Sequence, residues 1–400
     1  MSQRVLVISH MYPNPVNPMS GIFVHNELKA LKEQGIEVEV LSPIPKFPFY
    51  PKWKEYRQVQ GKTKIDDISV TYVPTRMFPG GLFFSTYGDR YERALISHVE
   101  AIYNEFSFDL IHCHTIYPDG FAGGKMKGRF QVPVVCTIHG SDIMLYPKRS
   151  QGVYRKTMEA LQMADYIVTV SERLLHEAKK MVPSIHGETI YNGFDPCLFT
   201  VQDKIEARRK LELPEQGKIL LFVGNLYPVK GIEFLLQAFA RICSHDSSLH
   251  LCLVGDGPLR STLEQQVKEL NISHSVSFKG RRAYDEIPTW ISSSDVVVLS
   301  SLSEGLPSIL LESMGSARPM IATAVGGIPE ILQNGKTGIL VEPKDVDGLA
   351  SAMHKLLIED SHLANQMGQQ AYQSSQSLTW QAHASKMEDL YQRLVNQNTL

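Results

Sequence analysis

The chain has no charge of either sign to spare. Forty lysines and arginines face 42 aspartates and glutamates, a formal net charge of −2. No basic surplus exists to neutralise a nucleic-acid backbone, so no nucleic-acid partner is expected. Cysteine is scarce: Cys113, Cys136, Cys197, Cys243 and Cys252 form an odd set without a CxxC pair. That argues against a disulfide framework or a thiolate zinc site and fits a reducing cytosol. No apolar run reaches about 18 residues, so a spanning helix is not expected. The first ten residues enter a strand-like run at once, without a signal-peptide pattern. Neither GxxxxGK[ST] nor a GxGxxG turn stands after a strand, which disfavours P-loop and nicotinamide chemistry.

What is present is an ordinary globular composition, 43% hydrophobic and 20% charged over 400 residues, enough for two or three domains. Short apolar runs alternate with helical stretches. In the first half, strands are expected at 4–10, 38–42, 69–74, 110–114, 134–139, 166–171 and 188–192, with helices at 23–34, 90–106, 153–163 and 173–181. The pattern restarts with strands at 218–224, 250–255, 276–279, 296–300, 320–323 and 338–341, and helices at 231–243, 259–270, 307–314 and 346–358. Near-continuous apolar strands separated by helices mean parallel strands covered on both faces. The expectation is therefore α/β: two doubly wound, Rossmann-like domains, residues 1–197 and 198–376, facing an interdomain cleft. A helix-like tail follows at 379–395.

In open parallel sheets ligands bind beyond the carboxyl ends of the strands, so the residues just after each strand carry the information. Gly21 precedes a helix, where a missing side chain lets a phosphate or sugar approach free N–H groups. His139 ends a strand and opens a Gly140-Ser141-Asp142 turn; it could donate to a substrate hydroxyl or carry a proton. Lys230 precedes the helix after the first strand of the second half, a point charge suited to a diphosphate.

The strongest local signal is 303–312. Glu304 lies in a loop, Pro307 suits a helix start, and Glu312 lies inside the helix, with seven residues between it and Glu304. A helix N-terminus favours an anion, and a carboxylate can accept both hydroxyls of a diol. Two acids flanking an anion site suit a nucleotide sugar. Two other patterns read as structural. His112-Cys113-His114 puts two histidines on one strand face but shows no further ligand nearby; Asp345-Val346-Asp347 reads as a helix cap. Residues 44–64 carry six basic residues (Lys46, Lys52, Lys54, Arg57, Lys62, Lys64) against Glu55, interleaved with Phe47, Phe49, Tyr50, Trp53 and Tyr56. Such a proline-rich loop suits an anionic membrane surface, or packs its own aromatics as an ordinary solvated loop.

Taken in order, these motifs resemble a retaining glycosyltransferase of family 4 with the GT-B architecture. They are the loop ending at Gly21, His139-Gly140-Ser141-Asp142, Asn192-Gly193-Phe194-Asp195, Gly224 with Lys230-Gly231, Gly255-Asp256-Gly257-Pro258, the Glu304–Glu312 pair, and Val325-Gly326-Gly327-Ile328-Pro329-Glu330. The likeness spans nearly the whole chain, and its layout is similar to bacterial cell-surface polysaccharide transferases of the teichuronic-acid type. It implies Lys230 on the donor diphosphate, Glu312 on the ribose hydroxyls, and Glu304 on the transferred sugar. Gly305, Leu306, Pro307, Ser308 and Ile309 would frame sugar and phosphate, with His139 near the reacting face and Gly21 near the diphosphate. The base would sit near Gly280 and Arg281, and a terminal helix, 377–400, would return to the first domain. Asn225 stands where the family commonly has arginine, so the diphosphate would be less neutralised unless Arg281 or Arg282 helps.

The expected reaction moves a hexosyl unit, with retention, from a nucleotide diphosphate sugar, UDP-linked by family weighting, to an acceptor hydroxyl. No metal or other cofactor is expected, and the leaving phosphate oxygen itself could take the acceptor's proton. The acceptor, a sugar or lipid-linked sugar, would be recognised between Pro13 and Gly120. The place would be the cytoplasm, at the inner face of the cell membrane. The rivals are a sugar-nucleotide 2-epimerase, which needs no acceptor, and a non-catalytic nucleotide-sugar binding protein.

Overall fold

The computed structural model describes residues 3–47, 49–244, 246 and 248–398; the Lys52 side chain also lies outside the described part. The chain divides into two units, residues 1–193 with 380–400, and residues 194–379. The seam thus follows Gly193 rather than residue 197. Phe194 is already tied into the second unit: its N–H donates to the Leu378 carbonyl (3.1 Å), and a side chain at Gly315 would collide with its ring.

Unit 1 is built on eight strands: β1 (Arg4–Ile8), β2 (Glu37–Lys46), β3 (Gly61–Ile65), β4 (Ile68–Arg76), β5 (Leu110–His114), β6 (Val134–Ile138), β7 (Tyr166–Thr169) and β8 (Gly187–Thr189). Their order across the sheet is β3-β4-β2-β1-β5-β6-β7-β8. All neighbours pair in parallel except β3 with β4. β5 and β6 are buried at every residue, as expected of strands covered on both faces. β3 is the departure from the sequence reading. It is a polar, exposed edge strand, joined to β4 through Asp66 and Asp67, both at positive φ. Residues 44–64 are therefore not one loop: β2 runs to Lys46, short 3-10 turns follow at Pro51–Trp53 and Glu55–Gln58, and β3 closes the segment.

A second departure is the helix Phe121–Phe130, which carries three glycines and so has poor intrinsic propensity. Tertiary packing decides it: a Cβ at Gly123 would stand 2.3 Å from the Cys113 sulfur. The terminal helix Trp380–Asn398 belongs to unit 1. Its Trp380, Ala384, Met387, Leu390 and Tyr391 are buried in one cluster with Val5, Leu28, Val40 and Leu110. Burial of each large side chain is worth about 1.5–3 kcal/mol.

Unit 2 has β9 (Lys218–Val223), β10 (Leu249–Val254), β11 (Val276–Gly280), β12 (Val296–Leu299), β13 (Met320–Thr323) and β14 (Gly338–Val341). Their order is β11-β10-β9-β12-β13-β14, all parallel. Leu236, Phe239, Leu253, Val298 and Met353 centre its core. Helices at Lys204–Lys210, Ile287–Ser293 and Ser361–Ser375 were not legible in the sequence. Both sheets reverse their order once, unit 1 between β1 and β5 and unit 2 between β9 and β12. Such switch points open a crevice at the carboxyl ends of the strands.

Candidate active site

In unit 2, β9 leads to Lys230 and β12 to Glu304, so both chain segments leave the sheet at the switch point. Lys230 Nζ lies 2.6 Å from Glu304 Oε1, and Ser301 Oγ donates to the same oxygen at 2.6 Å. The two loops are laced together. The Leu302 N–H donates to the Val229 carbonyl (2.7 Å), and Ser300 Oγ donates to the Lys230 carbonyl (2.9 Å). The next loop joins them: the Gly327 N–H donates to the Gly305 carbonyl (2.6 Å). Gly326 permits this approach, with φ of 60° and no room for a Cβ, which would stand 2.1 Å from the Glu304 carbonyl oxygen. Pro307 caps the helix Ser308–Gly315, whose first turn includes Ser308 and Ile309, and Leu306 is buried beside it.

That helix is apolar on nearly every side, and Glu312 is its buried acid, 5% exposed. A solvated surface carboxylate is thereby excluded. Burial pushes the Glu312 carboxyl up to about 7, although a hydrogen bond from Tyr284 works the other way. Tyr284 OH donates to Glu312 Oε1 at 3.1 Å. Gly280, at φ of 70°, ends β11 and precedes exposed Arg281. Arg282 leans on the Trp290 ring (5.5 Å) and lies 3.9 Å from Glu286, a partnership of its own rather than one with Lys230. Asn225 is exposed. Asp345 accepts from the Gly348 N–H at 2.8 Å, which makes the acid pair at 345–347 a helix cap.

Gly21 and His139 belong to unit 1. Gly21 caps the helix Ile22–Glu33 in a left-handed turn pressed onto the Met11 carbonyl, where a Cβ would stand 2.1 Å from the oxygen. His139 stacks on His114, with Nε2 3.1 Å from His114 Nδ1, and packs against Phe23. Its Nδ1 is buried and has no hydrogen-bond partner among the described residues. Burial pushes His139 down to about 3, which keeps the ring neutral at pH 7. Asp142 fixes the turn by accepting from the backbone N–H of Gly140 (2.9 Å), His139 (3.2 Å) and Ile116 (2.9 Å).

The strand histidines do gain a third potential ligand. Buried Glu27, from the helix Ile22–Glu33, offers an oxygen within 4.8 Å of ring nitrogens of His112 and His114. However, His112 has both nitrogens engaged, Nδ1 with Tyr391 OH and Nε2 with Thr137 Oγ1, each at 2.7 Å. No lone pair of that ring is left for a cation. Glu27 also lies 3.4 Å from His383 of the terminal helix. Its burial opposes ionisation, but the facing His114, His383 and His112 hold it well below the usual carboxylate range. The cluster thus binds the terminal helix to β5.

Sequence reasoning missed Tyr284, Ser301 and Glu27. Tyr284 and Ser301 sit in loops without a motif of their own, and Glu27 is indistinguishable in the sequence from a surface helical acid.

Two parallel-sheet units, each ending in polar loops at its switch point, define the GT-B architecture of glycosyltransferases. Residues 20–197 match the family described as Glycosyltransferase Family 4, and residues 203–374 match Glycosyl transferases group 1. The chain is 30% identical over 366 residues to the putative teichuronic acid biosynthesis glycosyltransferase TuaC of Bacillus subtilis, covering 88% of each chain. Among solved structures it resembles sucrose-phosphate synthase of Thermosynechococcus elongatus, at TM-score 0.83 and 23% identity over 99% of this chain and 100% of that one. It also resembles HepE of Anabaena in complex with UDP-glucose, at TM-score 0.74 and 20% identity over 98% and 100%. The chain belongs to glycosyltransferase family 4.

Proposed function

We propose that the chain transfers a hexosyl unit, with retention, from a UDP-linked sugar to an acceptor hydroxyl in the assembly of a cell-surface polysaccharide or glycolipid. The observation that carries this reading is the Lys230–Glu304 contact of 2.6 Å at the switch point of unit 2. One cation for a diphosphate and one carboxylate for sugar hydroxyls stand side by side, and Glu312 supplies a second carboxylate within the same unit. The departing diphosphate is met by Lys230 and by the N-terminus of the helix Ser308–Gly315, preorganised groups that act on charge as it develops. HepE, similar in fold, has been captured with UDP-glucose. TuaC carries teichuronic acid synthesis in its name. The reaction as proposed needs no metal.

A membrane-linked acceptor fits one surface of unit 1, although not the whole segment 44–64. Tyr50 and Trp53 pack on each other (5.2 Å) and Tyr56 packs against the core. The exposed rings are Phe49, 85% exposed, and Phe83, joined through Phe47 and Phe78 at centroid spacings of 5.3–6.2 Å. Arg76 and Arg90 stand over Phe78. Aromatic rings beside cations suit an anionic lipid surface, with the chain on the cytoplasmic side.

The test is release of UDP from UDP-glucose and UDP-N-acetylglucosamine, with free and lipid-linked hexoses, N-acetylhexosamines and hexuronic acids as acceptors. The anomeric configuration of the product is read by NMR. Acceptor-dependent UDP release with the donor's configuration kept is expected. Turnover without an acceptor to a 2-epimer would favour the epimerase, and UDP binding without turnover would favour a binding protein.

A further inference from the structure

A buried carboxyl is a poor anion unless a neighbour stabilises its charge. In unit 2 Glu312 has such a neighbour in Tyr284, to which the donor reading gives no role. β11 ends at Gly280, and a short 3-10 turn, Tyr284–Glu286, follows it. The turn is tied down on its own account: Glu286 accepts from the Ala283 N–H at 2.8 Å, and Ile287, directly after it, is buried. Tyr284 is half-buried, with its ring edge-on to buried Phe199 at a centroid spacing of 5.5 Å. So held, its hydroxyl reaches the helix Ser308–Gly315 and donates to Glu312 Oε1 at 3.1 Å, across 28 residues of sequence. Among the described residues no charged group acts on the Glu312 carboxyl: burial favours the neutral acid, and the Tyr284 hydroxyl favours the carboxylate. The difference matters for a diol. An ionised carboxyl is acceptor-only and can take both hydroxyls, whereas a protonated one carries an O–H donor on one of its oxygens.

We propose that Tyr284 is a positioning residue for the donor: its hydroxyl holds the Glu312 carboxylate as a ready acceptor for the ribose hydroxyls of the nucleotide. The proposal rests on the donor reading of Glu312 and adds the group that lets this acid serve near neutral pH. Tyr284 acts through Glu312 and needs no contact of its own with the nucleotide. A carboxylate with one oxygen already held has less freedom to lose when a ligand arrives. With the hydroxyl removed, burial acts unopposed and the carboxyl stays protonated to a higher pH. The nucleotide then meets a neutral acid over the range in which the wild type offers an anion.

The test is calorimetric titration of UDP into the full chain as wild type, Tyr284→Phe, Glu312→Gln and the double variant, from pH 6 to pH 8.5. Phenylalanine at 284 keeps a ring against Phe199 and removes only the oxygen; circular dichroism confirms the fold. The phosphates of UDP titrate alike against every protein, so the ratio of wild-type to variant affinity is read at each pH. Loss of one hydrogen bond to a charged group should move the titration of Glu312 up by about one pH unit. Tyr284→Phe should therefore bind UDP about fivefold more weakly than the wild type at pH 7 and within about twofold of it at pH 8.5. Glu312→Gln has no carboxyl to titrate, so adding Tyr284→Phe to it should not alter the pH dependence. A ratio near one at pH 7, or a deficit that stays the same from pH 6 to pH 8.5 as a loss of packing would give, would overturn the proposal and leave the donor reading in place. A wild type that does not bind UDP, or a Glu312→Gln variant that binds it as the wild type does, would overturn the donor reading and the proposal with it.

Discussion

Lys230 and Glu304 form an ion pair across the switch point of unit 2, Nζ to Oε1 at 2.6 Å, from loops that follow β9 and β12. The group suited to the diphosphate and the group suited to the sugar therefore position each other. Ser301 donates to the same oxygen, so Glu304 Oε1 carries both of these contacts.

Lys230→Met should remove the cation and leave the loop backbone in place. Loss of one preorganised donor costs about 2.7–4 kcal/mol, or 10²–10³ in kcat. Steady-state UDP release checks this, with circular dichroism to confirm the fold.

Glu312 should make nucleotide affinity and stability depend on pH in opposite senses. As an acceptor for ribose hydroxyls it works ionised, so UDP affinity should fall as pH drops below about 7. Its folded value lies above the unfolded value of 4.5, so the folded chain holds the proton more tightly. That contribution to stability is complete below the unfolded value and is lost as pH rises to about 7. Glu312→Gln should remove the loss and gain on the order of 2 kcal/mol at pH 8 relative to pH 5. Urea denaturation at the two pH values measures it.

The terminal helix should be indispensable to unit 1. Leu390 is completely buried, and Leu390→Ala should cost about 2–5 kcal/mol. Tyr391→Phe, which deletes only the hydroxyl on His112, should cost about 1–3 kcal/mol. Urea midpoints at constant slope are the measure.

Phe49→Ser with Phe83→Ser should weaken binding to phosphatidylglycerol-containing vesicles and leave UDP binding unchanged. Co-sedimentation reads the first and calorimetry the second. Reversing Lys54, between the two 3-10 turns, and Arg57, in the second, should do less than changing Arg76 and Arg90 beside the rings.

The meeting of Lys230 and Glu304 was legible because both follow strand ends, where sequence order and spatial order agree. Lys230, Glu304 and Glu312 were readable from glycine, proline and acid spacing alone. The contact of His10 Nδ1 with Asp119 Oδ2 at 2.6 Å was not, because the two are 109 residues apart and meet only through the adjacency of β1 and β5. A comparable separation in sequence hid Glu27 from His112 and His114. Among elements, β3 escaped because an exposed edge strand lacks an apolar face. The helix Phe121–Phe130 escaped because its glycines answer to Cys113 and Met163, which crowd against them, rather than to helix propensity.

The most direct test of the central claim is calorimetric titration of UDP into the wild type, Lys230→Met and Glu312→Gln at pH 8. The account predicts one site per chain, weakened at least about tenfold in each variant, the worth of one charge-assisted hydrogen bond. A wild type that does not bind UDP, or variants that bind it unchanged, would contradict it.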